Sequence, residues 1–281
     1  MSFLDRINEV TPCDPSHFIP FYVNRVMIGM MKPEFAQILS NFPSVFQTNC
    51  NEVSLSPNLD SYKDRTNAIA TVLGQLRKQG LIPGWRDELY PISLGFNSPS
   101  LFDMERAATG LFGVQSYAIS VNGFVRLGDD YYIWIGRRSA TKETYPGELD
   151  IMVGGGHPAG ISLRENLIKE CCEEAGLPET IAKTALPVGG ISFCSEQCGE
   201  IINQFQFVYD LELSTKIIPN NVDGEVESFE LLSTTKIMEI LYETDEFMFD
   251  SALVIIDFLI RHGHINPEHP EYTTLVLGLR H

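Results

Sequence analysis

The sequence predicts an α+β chain built as two units, and three observations carry that expectation. Strand-like runs and helical spacings both recur along its 281 residues. A hairpin signal, Gly128-Asp129-Asp130, joins two β-rich runs near the middle. Consecutive glycines at 154–156 then lead into an amphipathic run with legible helix ends. The length allows one large core or two modest ones and slightly favours two. A hydrophobic share of 44% against 20% charged residues is too apolar for a disordered chain.

Within the first unit, residues 18–30 (FIPFYVNRVMIGM) are rich in β-branched and aromatic side chains and read as strand. Residues 32–42 place Phe35, Ile38, Leu39 and Phe42 at helical spacing behind Pro33, which suits a first turn. A short alternating run follows at 50–57. Residues 64–79 give the clearest helix of this half, with Ile69, Val72, Leu73 and Leu76 on one face and Gly80 past its end. No repeat or low-complexity linker marks a boundary, which is placed softly to give units 1–110 and 111–281. In the second unit, 117–127 and 131–137 are strands about the hairpin turn, and 149–153 is a short strand running into the glycines. A helix over 163–175 precedes strands near 191 and over 205–213. Helices over 235–242 and 247–262 close the chain.

Basic residues number 20 against 37 acids, a net charge of −17. Such a surface repels a phosphate backbone, so no nucleic acid is expected as a partner. An anionic small molecule needs a local basic cluster or a bound metal to be held. No uncharged apolar run approaches the roughly 18–20 residues of a membrane helix, so no membrane partner is expected either. The opening MSFLDRINEVTPCDPSHF reads as neither signal nor transit peptide. Six cysteines (Cys13, Cys50, Cys171, Cys172, Cys194 and Cys198) form no disulfide framework. Cys194 and Cys198 have no second pair for zinc, and free thiols in a reducing cytoplasm are expected.

The chemistry concentrates between Gly154 and Pro178 (GGGHPAGISLRENLIKECCEEAGLP). Ser162 followed by Glu165 is a capping box, and Gly176 supplies the stop. At about 100° per residue, Leu163, Leu167, Ile168, Cys171, Cys172 and Ala175 sweep one half of the helix. Glu170, Glu173 and Glu174 gather on the opposite side. Three acids at this spacing repel one another by a few tenths of a kcal/mol per pair. A solvated acidic face would explain them alone. Their place behind a glycine-rich turn suits the carboxylate and carbonyl oxygens that a hard divalent cation wants.

This segment resembles the Nudix box, G-x5-E-x7-R-E-U-x-E-E-x-G-U with U aliphatic. Gly155 takes the first glycine, Glu170 the paired acid, Glu173 and Glu174 the double acid, and Gly176-Leu177 the end. Ile161 stands where the box has its first Glu, Lys169 replaces Arg, and Cys171 replaces an aliphatic residue. The runs WRDELY, MERAATGLFGVQSYAISVNGF, IWIGRRSATKETYPGELD and DGEVESFELLS extend the likeness to the Nudix group related to thiamine pyrophosphokinase, which carries an N-terminal domain of the DUF4743 type.

The resemblance implies an α/β/α sandwich with a mixed sheet for the second unit. It implies Mg²⁺- or Mn²⁺-dependent attack of water on a small-molecule diphosphate. Glu170, Glu173 and Glu174 would be the catalytic and metal-binding acids, with a backbone carbonyl of Gly154 or Gly155 completing the shell. Arg137, Arg138 and Lys142 concentrate positive charge and would clamp the diphosphate; pairing with Glu143 and Glu148 is the plainer reading. Glu196, Glu225 and Glu227 are candidates for a further acid from a later loop. His157 reads as a solvated loop residue, and Trp85 with Arg86 as an interface or a stacking pair. The group points to thiamine diphosphate or its oxo and oxy analogues, cleaved to the monophosphate and phosphate. The alternatives are a broader nucleoside-diphosphate hydrolase, for example of ADP-ribose, and a non-catalytic diphosphate-binding module. Isomerase chemistry on an isoprenoid diphosphate finds no clear acid and thiol arrangement. A homodimer is compatible with the sequence.

Overall fold

The computed structural model describes residues 2–10, 14–142, 144–197 and 199–280; Cys13, Glu143 and Cys198 lie outside the described residues. Ser2 and Asp5 form a reciprocal capping box that starts the first helix, α1 (Phe3–Glu9). The periodicity left this helix unassigned. Its buried Phe3 and Ile7 pack among the C-terminal helices, not among the residues that follow them.

The apolar run at 18–30 is a hairpin and not a single strand. Here β1 (Ile19–Val23) and β2 (Val26–Met31) pair antiparallel about Asn24 and Arg25. Both turn residues take positive φ, 50° and 66°, as a two-residue hairpin turn requires; Asn tolerates this readily, and Arg gives no hint of it in sequence. Next come α2 (Pro33–Leu39), β3 (Phe46–Thr48) and β4 (Val53–Leu55). The sheet runs β2-β1-β4-β3, with β1 and β4 parallel. Helix α3 (Tyr62–Lys78) adds Ile69, Val72, Leu73 and Leu76 to the same core, the face its spacing predicts. A ribbon of β5 (Leu89–Ile92) and β6 (Phe102–Glu105) and a short α4 (Thr109–Phe112) complete the unit. Phe112 is enclosed by Phe21, Phe35 and Phe46.

In the second unit β7 (Gln115–Leu127) and β8 (Asp130–Arg138) form the predicted hairpin. They pair only over 124–127 and 130–133, then splay apart. Strand β9 (Leu149–Asp150) attaches to β8, and β10 (Val153–Gly156) takes over the edge that β7 presents at 118–121. The consecutive glycines are therefore strand, where a loop was expected. Helices α5 (Leu163–Ala175) and α6 (Glu179–Ala182) precede the hairpin β11 (Leu186–Gln197) and β12 (Glu200–Glu212). Strand β12 lies parallel to β7, and β13 (Val226–Ser233) pairs with β8, giving the order β11-β12-β7-β8-β13. The chain closes with α7 (Thr234–Glu243), α8 (Phe249–Arg261) and α9 (Tyr272–Gly278).

Alternation along β7 sends Ile119, Val121 and Val125 toward α5, and Phe124 toward α8. The mixed sheet is thus covered by α5 on one face and by α1, α7, α8 and α9 on the other. This is the α/β/α sandwich the sequence leads one to expect, preceded by a smaller α/β unit. The two units touch closely: Ala159 N–H donates to the Leu89 carbonyl at 2.8 Å, and Lys32 pairs with Glu196 at 2.7 Å. Among the described residues no helix is long and apolar enough to cross a membrane.

Candidate active site

The site is built on β10, whose Gly154, Gly155 and Gly156 pair with Ser120, Ile119 and Ala118 of β7. At two of these glycines a side chain would displace a neighbour. A β-carbon on Gly155 would stand 2.5 Å from Cδ and Cγ of Glu170, and one on Gly156 would fall on the Tyr90 hydroxyl. At Gly154 it would meet only Ile151, at 3.6 Å.

Helix α5 delivers the acids. Ser162 Oγ accepts from Glu165 N at 3.2 Å, while Glu165 Oε2 accepts from Ser162 N at 2.8 Å. Gly176 ends the helix in the left-handed region at φ 62°. Leu167, Cys171 and Ala175 anchor it under the sheet. The helix wheel places the three acids together on the outer side, but the structure divides them. Glu170 and Glu174 are buried against β10, whereas Glu173 stays 52% exposed. The absence of side chains on the glycine strand makes the room, and its backbone supplies a donor: Gly154 N–H reaches Glu174 Oε2 at 2.9 Å.

Burial pushes the Glu174 carboxyl well above the usual range. The Gly154 bond offsets this only in part, and the charges of Glu170, Asp150 and Glu225 add to it. Glu170 is also raised by burial, against the pull of Lys169. The Lys169 ammonium lies 3.0 Å from Glu170 Oε1 and 3.1 Å from Glu173 Oε2. Burial disfavours its charge, but the two carboxylates dominate and hold its pKa up. So the residue in the arginine position of the box braces the acids themselves. Ile161, in the place of the first box Glu, lines a separate hollow with Phe96, Tyr117 and His157. Among the described residues, no three acid, histidine or cysteine side chains already converge into a metal cluster.

A cavity of about 480 Å³ opens in front of the acids, at the splay of β7 and β8. Glu170, Glu173, Glu174 and the three glycines form one side. Arg138, Lys142 and Glu225 form another, Arg86, Glu88 and Arg106 reach in from the N-terminal unit, and Gln204, Gln206, Asp250 and Ser251 line the far end. Arg138 is largely committed. It bonds Asp150 Oδ2 at 2.8 Å and the carbonyls of Tyr145 and Thr144 at 3.0 and 2.9 Å. Lys142 pairs with Glu225. Arg137 is not among the lining residues: strand alternation turns it to the Gly147 carbonyl, at 2.8 Å, and to Glu246. Arg137 therefore stands outside the cavity in which a clamp was expected.

Of the later acids, only Glu225 lines the cavity. Burial works to raise it, but the bond and charge of Lys142, with Arg86 and Arg106, bring it below the usual range. Glu227 is exposed on β13, and Glu196 is tied to Lys32. At the far end Asp250 accepts from Gln206 Nε2 at 2.8 Å. Burial and the Asp150 charge push its pKa up to about 6. His157 is not the solvated residue its loop position implies: it is 5% exposed, rests on Phe96, and burial lowers its pKa.

Sequence reasoning missed Arg106, Glu88, Asp150 and Asp250 as site residues, and gave Arg86 only a stacking role. Arg86, Glu88 and Arg106 lie inside the runs WRDELY and MERAATG, so the resemblance flagged their segments without their purpose. Asp250 reads as an ordinary first-turn acid of α8 and carries no separate signal.

A family profile described as a domain of unknown function (DUF4743) matches residues 2–116. Nudix hydrolase 24, chloroplastic, from Arabidopsis thaliana is 43% identical over 265 residues, 94% of this chain and 73% of the relative. Nudix hydrolase 20, chloroplastic, from the same plant is 41% identical over 289 residues, 99% of this chain and 77% of the relative. Among solved structures, the NUDIX domain of Shewanella oneidensis NrtR complexed with ADP ribose aligns at 12% identity and a TM-score of 0.40, covering 51% of this chain and 86% of that one. That likeness is loose, and the sequence relatives carry the assignment. Identity at this level, across nearly all of this chain and about three quarters of each relative, makes it a member of the Nudix hydrolases, which cleave diphosphate linkages.

Proposed function

We propose that this Nudix hydrolase cleaves thiamine diphosphate, or its oxidised oxo and oxy analogues, to the monophosphate and phosphate in the cavity before α5, using Mg²⁺ or Mn²⁺. The observation that supports a metal site is the placing of Glu170 and Glu174 out of water against the glycine strand, with an ammonium already bridging Glu170 and Glu173. Carboxylates raised by burial, and by one another, relax when a cation joins them. Lys169 stands where such a charge is wanted. The donors are hard oxygens, so the residues present fit Mg²⁺, with Glu170, Glu173, Glu174 and a carbonyl of Gly154 or Gly155 as its holders. When bound, the ion neutralises phosphate oxygens and lowers the pKa of water.

The chain's own residues do the rest. Arg138 and Lys142 orient the diphosphate by exchanging Asp150 and Glu225 for its oxygens, and one acid of the trio takes the proton of the attacking water as the water oxygen bonds to phosphorus and the bridging P–O bond breaks. The thiamine part rests on the resemblance of the whole chain to the thiamine pyrophosphokinase-related group. The chain divides into units 1–110 and 111–281, with α1 docked on the second. The free thiols Cys50, Cys171 and Cys172 fit a reducing setting such as the cytoplasm, and a homodimer is compatible with the fold.

The test is a panel of thiamine diphosphate, its oxidised analogues and ADP-ribose, with and without Mg²⁺, read by release of phosphate and monophosphate. Thiamine compounds are expected to be cleaved and Glu173→Gln to lose at least about 100-fold in kcat, in the range of acid–base and metal-assisted effects. Preference for ADP-ribose would favour the broader hydrolase, and tight binding without turnover the non-catalytic module.

A further inference from the structure

We infer that the N-terminal unit carries part of the anion-binding wall of this site, and that Arg106 is the substrate-binding residue through which it grips the diphosphate. The proposal rests on the diphosphate reading above and adds to it a role for a domain whose profile has none.

Three observations support it. In a chain of net charge −17, the cavity wall gathers Arg86, Arg106, Arg138, Lys142 and Lys169. Arg86 is not free, and Arg138 is occupied by Asp150 and two carbonyls, Lys142 by Glu225, and Lys169 by Glu170 and Glu173. Arg106 differs. Its side chain is 47% exposed, and it gives one N–H, from Nη1, to Glu88 at 3.0 Å. Its Nε and Nη2 have no hydrogen-bond partner among the described residues. An exposed ion pair of this kind is weak and readily exchanged for a bidentate contact to phosphate.

The arginine is also held in register by its backbone. Buried Glu105 accepts from Arg86 N at 3.0 Å and from Ala107 N at 3.4 Å, so one carboxylate ties the segments bearing both arginines. Arg106 N–H donates to the Glu88 carbonyl at 2.8 Å, which continues the β5–β6 ladder. Its guanidinium lies near the Tyr90 ring, 5.7 Å from the centroid, and Tyr90 in turn fills the space over Gly156 of β10. The ribbon thus sets a cation at a fixed distance from the glycine strand and the acids behind it.

The test uses the full chain and compares wild type with Arg106→Ala, Arg106→Lys and, as an exposed control outside the cavity, Arg126→Ala. Calorimetry measures binding of methylenediphosphonate with Mg²⁺, and kinetics measures KM and kcat on the diphosphate that turns over. Arg106→Ala is expected to weaken methylenediphosphonate about 10-fold or more, as loss of a charge-assisted contact does, and to raise KM similarly with kcat within about 3-fold. Arg106→Lys should recover part of the affinity, Arg126→Ala should match wild type, and all four should melt alike. Unchanged binding and KM in Arg106→Ala, on an enzyme that turns over a diphosphate, would overturn the inference while leaving the function intact. Lost binding in Arg106→Ala on a wild type that turns over nothing would leave the inference standing and sink the catalytic reading.

Discussion

Gly154, Gly155 and Gly156 look equivalent in sequence, yet their neighbours differ atom by atom. An alanine at 155 would collide with the Glu170 carboxyl, and one at 156 with the Tyr90 hydroxyl, while one at 154 meets ordinary contact. We therefore expect Gly155→Ala and Gly156→Ala to lose about 1–3 kcal/mol, as overpacking does, and Gly154→Ala to melt within about 0.5 kcal/mol of wild type. Thermal melts of the three variants decide it. Asp250 gives a second expectation. Its folded pKa of about 6 stands above the ordinary 3.8, so the fold favours its protonated form. The cost of ionising it is absent below about pH 4, grows as pH rises through about 6, and is complete above. Asp250→Asn should therefore stabilise by roughly 1–3 kcal/mol at pH 8 and by almost nothing at pH 4. Equal gains at both pH values would mean that the carboxyl titrates as it does in water. The acids Glu170, Glu173 and Glu174 were legible from the box spacing. Which of them turn inward was not, because a helix wheel knows only its own axis. The missing side chains that admit Glu170 and Glu174 belong to β10, a different element.

Element by element, the sequence signals hold where one segment decides its own conformation. Ser162, Glu165 and Gly176 set both ends of α5, and the 163–175 bounds agree with the structure. The spacing of Ile69, Val72, Leu73 and Leu76 likewise finds α3. They fail where a partner decides. The ribbon β5–β6 and the glycine strand β10 exist because a neighbouring edge pairs with them, and α1 is a short helix made stable by what it docks on. Phe3 is 3% exposed, set edge-on to Tyr242 at 5.9 Å and beside His269. Phe3→Ala should cost about 3 kcal/mol and lower the melting of the C-terminal body. A variant that melts like wild type would show that α1 contributes nothing to that core.

For the molecule as a whole, an acidic surface is set against a cavity in which five cations stand among eight acids. The surface repels polyanions, and the wall collects cations where a small anion would lie. With the proposed metal site, stability should respond to divalent ions. With Glu170 and Glu174 raised by burial, ionisation costs the fold more as pH climbs through their elevated pKa values, and a bound cation relieves that cost. Mg²⁺ at about 100 times its dissociation constant should add close to 2.7 kcal/mol. The gain in Tm should be larger at pH 8 than at pH 5, and Glu174→Gln should flatten that difference. A Tm indifferent to Mg²⁺ at every pH would argue against cation binding by these acids.

Helix α1 has a topological effect that outlasts its few residues. Because it seats among α7, α8 and α9 while β7 leads the other way into the central sheet, the smaller unit has both its flanks fastened to one partner. It is an insertion closed at two ends, not a bead on a string. Such a double tether keeps the local concentration of Arg106 near the acids high and suppresses swivelling between the units. Proteolytic nicking between them should consequently leave two fragments that still travel together, and a graft of the C-terminal body alone would part with α1 as well as with its arginines.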